Sequence, residues 1–130
     1  MAFYVDTSAL VKLVVAESET AALRAWLGEP GRELVACDLA RTELVRAVRR
    51  VVPDRVLRAR EVLDAVTLVR VTPALFDDAG RLEPSGLRSL DAIHLAAALD
   101  LGDDLEGLIT YDDPLAEAAV SHGVAVLVPR

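Results

Sequence analysis

The segment from Leu108 to Val128 reads Leu-Ile-Thr-Tyr-Asp-Asp-Pro-Leu-Ala-Glu-Ala-Ala-Val-Ser-His-Gly-Val-Ala-Val-Leu-Val. Its middle has the punctuation of a helix, with Pro114 suited to the start and Gly123 to the stop. Its flanks, Leu108 to Tyr111 and Val124 to Val128, are short and apolar and read as strands. A strand, a helix and a strand joined this tightly imply a crossover between parallel strands.

The same alternation runs back to the N-terminus. Ala2 to Val5 reads as a strand ended by Asp6, and Ser8 can cap a helix through Leu10, Leu13 and Val14. A helix from about Glu19 to Leu27 stops at Gly28, and Glu33 to Cys37 is a second strand. Asp38 can cap a helix carrying Leu39, Leu44, Val45 and Val48, and Pro53 can open another through Leu57 and Leu63. Thr67 to Val71 is a third strand and Pro73 to Leu82 a helix. Ser89 can cap a helix from Leu90 to about Leu101, which ends near Gly102. About five short, continuously apolar strands predict a parallel sheet covered by helices on both faces, a three-layer α/β domain over residues 1–130. Ligands bind such sheets beyond the carboxyl ends of the strands.

Acids stand at those places. Asp6 follows the first strand and Asp112 follows Ile109-Thr110-Tyr111. Asp91 lies in the first turn of Leu-Asp-Ala-Ile-His-Leu-Ala (Leu90 to Ala96), and Glu43 lies one turn inside its helix. Singly, each reads equally well as a helix cap, a dipole partner or a wet surface charge. Together at one sheet edge they would repel one another unless a cation sat among them. Hard oxygen ligands select Mg²⁺ or Mn²⁺. With two histidines and one cysteine, a structural zinc site is not on offer.

At this point a resemblance becomes specific. Val5-Asp6-Thr7-Ser8-Ala9-Leu10 resembles the opening of PIN-domain ribonucleases, and the segment from Leu90 to Ala96 resembles their most recognisable internal motif. Thr110-Tyr111-Asp112, followed by Leu115 to Ala119, resembles their last acidic motif, and Glu43-Leu44 falls where their helical glutamate lies. The match spans Asp6 to Ala119. At this length it is to the VapC-type toxins of bacterial and archaeal toxin–antitoxin operons. The resemblance implies a PIN-like fold and a metal-dependent endoribonuclease. Asp6, Glu43, Asp91 and Asp112 would be its catalytic, metal-binding set, with Mg²⁺ or Mn²⁺ as cofactor. It also implies an RNA substrate, an antitoxin partner and a homodimer. Thr7, Ser8 or Thr110 would offer hydroxyls to metal-bound water or to a phosphate, with at least one of Thr7 and Ser8 a plain cap. The Thr-x-Asp register favours Asp112 over Asp113, and Asp113 before Pro114 suits the cap of the next helix. His94, one turn after Asp91, is read as a packed, hydrogen-bonded histidine, and His122 as a helix C-terminal residue.

The net charge is −7, which argues against a general nucleic-acid coat protein. Yet the segment from Arg41 to Arg60 carries seven arginines and two acids, +5 against −12 for the rest. Arg46 and Arg50 share a helix face with Glu43 and can contact RNA phosphates. A docking face for the antitoxin, or a merely solvated face, fits the same pattern. Leu10, Leu13, Val14 and Val15 offer the first helix more apolar surface than one buried face needs, as a partner site would.

Composition is consistent with this reading. A hydrophobic fraction of 53% and a charged fraction of 27% suit a globular core rather than disorder. No apolar run approaches the roughly 18 residues that span a bilayer, and the first residues lack a basic n-region, so neither membrane anchor nor signal peptide is expected. The lone Cys37 excludes an internal disulfide framework and reads as a buried small hydrophobe in a reducing cytoplasm. Phosphoryl-transfer aspartate folds fit poorly. A dehalogenase pattern wants a second Asp where Ser8 stands, and those families need a late lysine where the only lysine is Lys12. A non-catalytic PIN fold would lose acids, yet all four are present. A PIN nuclease of RNA processing remains the alternative to a toxin. Dinucleotide and P-loop fingerprints do not occur.

Overall fold

The computed structural model describes residues 2–130. Its sheet has five strands: β1 (Ala2–Val5), β2 (Glu33–Cys37), β3 (Thr67–Val69), β4 (Leu105–Ile109) and β5 (Val126–Leu127). Their order is β3-β2-β1-β4-β5, and every pairing is parallel. The first strand in sequence is therefore the central one. Seven helices connect them: α1 (Thr7–Lys12), α2 (Thr20–Leu27), α3 (Leu39–Val51), α4 (Val56–Asp64), α5 (Pro73–Arg81), α6 (Ser89–Asp100) and α7 (Asp113–Ser121).

Strand pleat divides the core in two. Tyr4, Val35, Cys37 and Leu108 face α5, α6 and α7, packing with Leu75, Leu95, Leu115 and the alanines of α6. Val5, Ala36 and Ile109 face the other way and pack with Leu10, Leu23, Leu44, Val48 and Val62 of α1 to α4. The three-layer α/β arrangement expected from the sequence is thus present. Helix α6 has apolar residues all round because it is a buried helix, with Ala92 and Leu95 to Ala98 all inside.

Several local expectations are corrected. Asp6, not Ser8, caps α1: its backbone is extended, and its carboxylate accepts from the amide of Ala9. Asp112, not Asp113, caps α7, accepting from the amide of Leu115, while Asp113 and Pro114 are already helical. Ser89 is the first residue of α6, after Arg88, with no side-chain cap, and Asp38 precedes α3 without capping it. Pro53 opens a short 3-10 turn before α4. Strand β4 begins earlier and ends sooner than the reading from Leu108 to Tyr111, so Thr110 and Tyr111 lie beyond it. Leu10, Leu13 and Val14 are buried in the chain's own core, and Val15 is half-buried. The first helix therefore has little spare apolar face for a partner. No described helix is long and apolar enough to cross a membrane.

Candidate active site

The carboxyl ends of β1, β2 and β4 lie in register, with Val5 opposite Ile109 and Cys37 opposite Val69 on β3. The residues just past these strand ends therefore gather at one rim. Asp6 extends β1 by donating its amide to the carbonyl of Ile109 at 3.2 Å. Its side chain, 4% exposed, accepts from the Ser8 hydroxyl at 2.6 Å and the Thr110 hydroxyl at 2.9 Å. Burial raises the Asp6 pKa, although both hydroxyls pull it down. Ionising it therefore costs free energy that a nearby cation would offset.

Asp91 sits in the first turn of α6, where the helix dipole favours an acid. Its pKa is also raised, first by burial and then by the charge of Asp112. One residue before α6, Arg88 donates from Nε to Oδ2 of Asp91 at 2.9 Å and from Nη2 to Oδ1 of Asp112 at 3.1 Å. A single guanidinium thus bridges two of the acids.

Glu43, in the second turn of α3, points its Oε1 at two donors. The Thr7 hydroxyl lies 3.0 Å away and His94 Nε2 lies 2.6 Å away. His94 is 2% exposed, and its Nδ1 meets the Tyr4 hydroxyl at 2.8 Å and the Cys37 sulfur at 3.7 Å. Burial alone would lower the His94 pKa; its hydrogen bonds to Cys37 and Glu43 outweigh that and push it to about 10.

These contacts close a circuit. Asp112 is joined through Arg88 to Asp91, Asp91 along one helical turn to His94, and His94 to Glu43. From there the path runs through Thr7 to its neighbour Asp6, on to Thr110, and back to the Asp112 amide, which donates to the Thr110 hydroxyl at 3.0 Å. All four acids named from the sequence belong to it. Among the described residues, no three His, Cys, Asp or Glu side chains already form a metal cage. The acids are held instead by hydroxyls, a histidine and an arginine. The donor set nevertheless suits a hard divalent cation. Its ligands are carboxylates, two have pKa values raised by burial, and two already share one cationic group.

Thr7 and Thr110 each serve an acid, and Thr110 is fully buried. Arg46 and Arg50 are exposed and outside the circuit. Arg46, with Arg41 and Arg60, rims a cleft of about 610 Å³ floored by Val45 and Leu63, whose lining includes Thr42 beside Glu43. Arg50 lies in the last turn of α3, where the dipole favours a cation. The sequence reading gives Arg88, Tyr4 and Cys37 no part in the site. Of these only Arg88 carries a local signal, its spacing of one helical turn before Asp91.

The fold and this rim define a doubly covered parallel α/β domain with an acid-lined edge at the carboxyl ends of its strands. A family model for the PIN domain matches residues 3–121. Ribonuclease VapC46 of Mycobacterium tuberculosis is 44% identical over 98% of both chains, and ribonuclease VapC47 of the same species is 39% identical over 97% of this chain and 96% of its own. The chain belongs to the PIN-domain family, on its VapC branch. Among solved structures, VapC20 of M. tuberculosis, a toxin that cleaves the sarcin–ricin loop, superposes with a TM-score of 0.77 at 18% identity, covering 98% of this chain and 99% of its own. A toxin–antitoxin complex from Klebsiella pneumoniae superposes with a TM-score of 0.70 at 22% identity, covering 100% and 98%. At such identities these structures speak for the fold.

Proposed function

We propose that the protein is a metal-dependent endoribonuclease acting as the toxin of a type II toxin–antitoxin pair. The observation that carries this reading is the circuit binding Asp6, Glu43, Asp91 and Asp112 into one rim, on a chain closely related to proteins named ribonucleases.

In this reading the four acids hold Mg²⁺ or Mn²⁺. A bound ion of this kind supplies a water of lowered pKa and neutralises charge on the leaving oxygen of a phosphodiester. The chain's own groups do the rest. Ser8 and Thr110 fix both oxygens of Asp6, Thr7 and His94 fix one oxygen of Glu43, and the caps of α1 and α7 set the backbone from which Asp6 and Asp112 project. The arginines from Arg41 to Arg60 offset a charge of −12 elsewhere that would repel RNA. A protein antitoxin, supported by the fold shared with a toxin–antitoxin complex, and a homodimeric state complete the reading.

The deciding experiment is digestion of total cellular RNA by purified protein, with mapped cleavage ends. Cleavage should vanish in EDTA, return with Mg²⁺ or Mn²⁺, and be absent in Asp91→Asn. Undiminished cutting in chelator would remove the metal from this reading.

A further inference from the structure

Beneath the rim lies a chain of hydrogen bonds that the acids alone do not explain. Its polarity is fixed at one end by a backbone group. The Cys37 amide can only donate, and it lies 3.1 Å from the Tyr4 hydroxyl oxygen. Tyr4 in turn meets His94 Nδ1 at 2.8 Å, and the two rings contact edge to face. The far side of the imidazole reaches Glu43 Oε1 at 2.6 Å. A carboxylate oxygen at that distance demands a proton on Nε2, since a bare lone pair there would repel it. That holds whether the ring is neutral or charged. Strands β1 and β2 therefore set the ring, and the ring sets the acid. Thr7 shares the same oxygen, so both holds fall on Oε1 and leave Oε2 without a partner among the described residues.

We propose that His94 is a positioning residue for Glu43, holding its carboxylate through Nε2 so that Oε2 is presented to the metal. The proposal rests on the metal reading above and deepens it. A half-buried glutamate has three side-chain torsions to lose when it becomes a ligand, and prior immobilisation removes much of that cost. Partners behind a ligand that orient it commonly change metal affinity by about 10- to 100-fold.

Two amides separate the roles of the two ring nitrogens. Glutamine at 94 can place its amide nitrogen near Nε2 and donate to Glu43. Asparagine can replace the Nδ1 contact with Tyr4, through its amide oxygen or its amide nitrogen, but falls short of Glu43. Mn²⁺ affinity by calorimetry, thermal unfolding and RNA cleavage would be measured for wild type, His94→Gln, His94→Asn and Thr7→Val. His94→Asn should bind Mn²⁺ about tenfold more weakly, with His94→Gln near wild type and Thr7→Val weakened less. Unfolding temperatures should not follow that order. Equal Mn²⁺ affinity in the Asn and Gln variants, or affinities that merely track stability, would overturn the role of His94. Wild type that cleaves RNA without binding Mn²⁺ would instead remove the metal reading itself. Should both amides unfold, Thr7→Val decides: unchanged Mn²⁺ affinity would mean that fixing Oε1 does not govern the ligand.

Discussion

Arg88 donates from Nη2 to Oδ1 of Asp112 at 3.1 Å, across 24 positions of chain, while its Nε holds Asp91. Its side chain is 70% exposed, so this guanidinium reaches the acids from solvent and can leave by the same route. In the metal-dependent reading, Asp91 and Asp112 would be ligands, so the guanidinium would compete with the ion for them. Arg88→Ala should therefore tighten Mn²⁺ binding by roughly two- to fivefold, because exposed ion pairs are weak competitors. Calorimetric titration would show it; weaker Mn²⁺ binding in the variant would mean that Arg88 supports the site instead.

The raised pKa values of Asp6 and Asp91 predict an unusual pH dependence for the metal-free fold. An acid whose folded pKa exceeds its unfolded value stabilises fully below the unfolded value and loses that stabilisation as pH rises through the folded one. His94, raised to about 10, acts in the same direction at the alkaline end, although it faces Glu43 and Cys37. In EDTA, the urea midpoint should increase as pH is lowered from neutrality towards about 5. Asp91→Asn should flatten this trend while keeping the fold at least as stable near pH 7. A midpoint that falls steadily over that range would contradict it.

The arginine segment makes a separable prediction. Arg46→Glu with Arg50→Glu should weaken RNA binding and reduce the slope of log affinity against log salt by about 2, since roughly one counterion is released per phosphate neutralised. Mn²⁺ affinity should stay unchanged, as neither residue belongs to the acid circuit. An unaltered salt slope would assign these arginines to the antitoxin or to solvent.

Gly107 tests the edge of the sheet. A Cβ there would stand 2.5 Å from Leu127 Cδ1 and 3.1 Å from the Ala125 carbonyl oxygen. Leu127 can swing aside, but the carbonyl belongs to the ladder with β4, accepting from the Leu108 amide at 2.8 Å. Gly107→Ala should cost about 1–3 kcal/mol and speed amide exchange at Leu108 and Thr110. An unchanged denaturation midpoint would show that β5 adapts freely.

How far the sequence reveals this molecule depends on the range of the interaction. Alternating strands and helices are local patterns, so the sheet and its layers are legible in it, as are the positions of Asp6, Asp91, Asp112 and Glu43. Caps are harder. Asp6 and Ser8 are both good capping residues, as are Asp112 and Asp113, and only the backbone angles decide between them. Gly107 hides the start of β4, because glycine argues against a strand except where another chain segment approaches closely. The pairings of Arg88 with Asp112 and His94 with Glu43 need the fold itself, since nothing local links residues so far apart. His94 is packed and hydrogen-bonded, as its alanine-rich helix suggests; the sequence withholds only which partner it bonds.

The central place of the first strand has a consequence in time. β1 emerges first during synthesis, but its neighbour β4 and the hydroxyl that holds Asp6 come 104 positions later, at Thr110. At ordinary translation speeds that interval is roughly 5 to 20 s. Throughout it Asp6 has neither Thr110 nor the β4 carbonyl that its amide joins, and Asp112 does not yet exist. The four-acid rim therefore cannot be assembled on a nascent chain until its last strands have been made. In the toxin reading, an antitoxin would have nothing to restrain before that point.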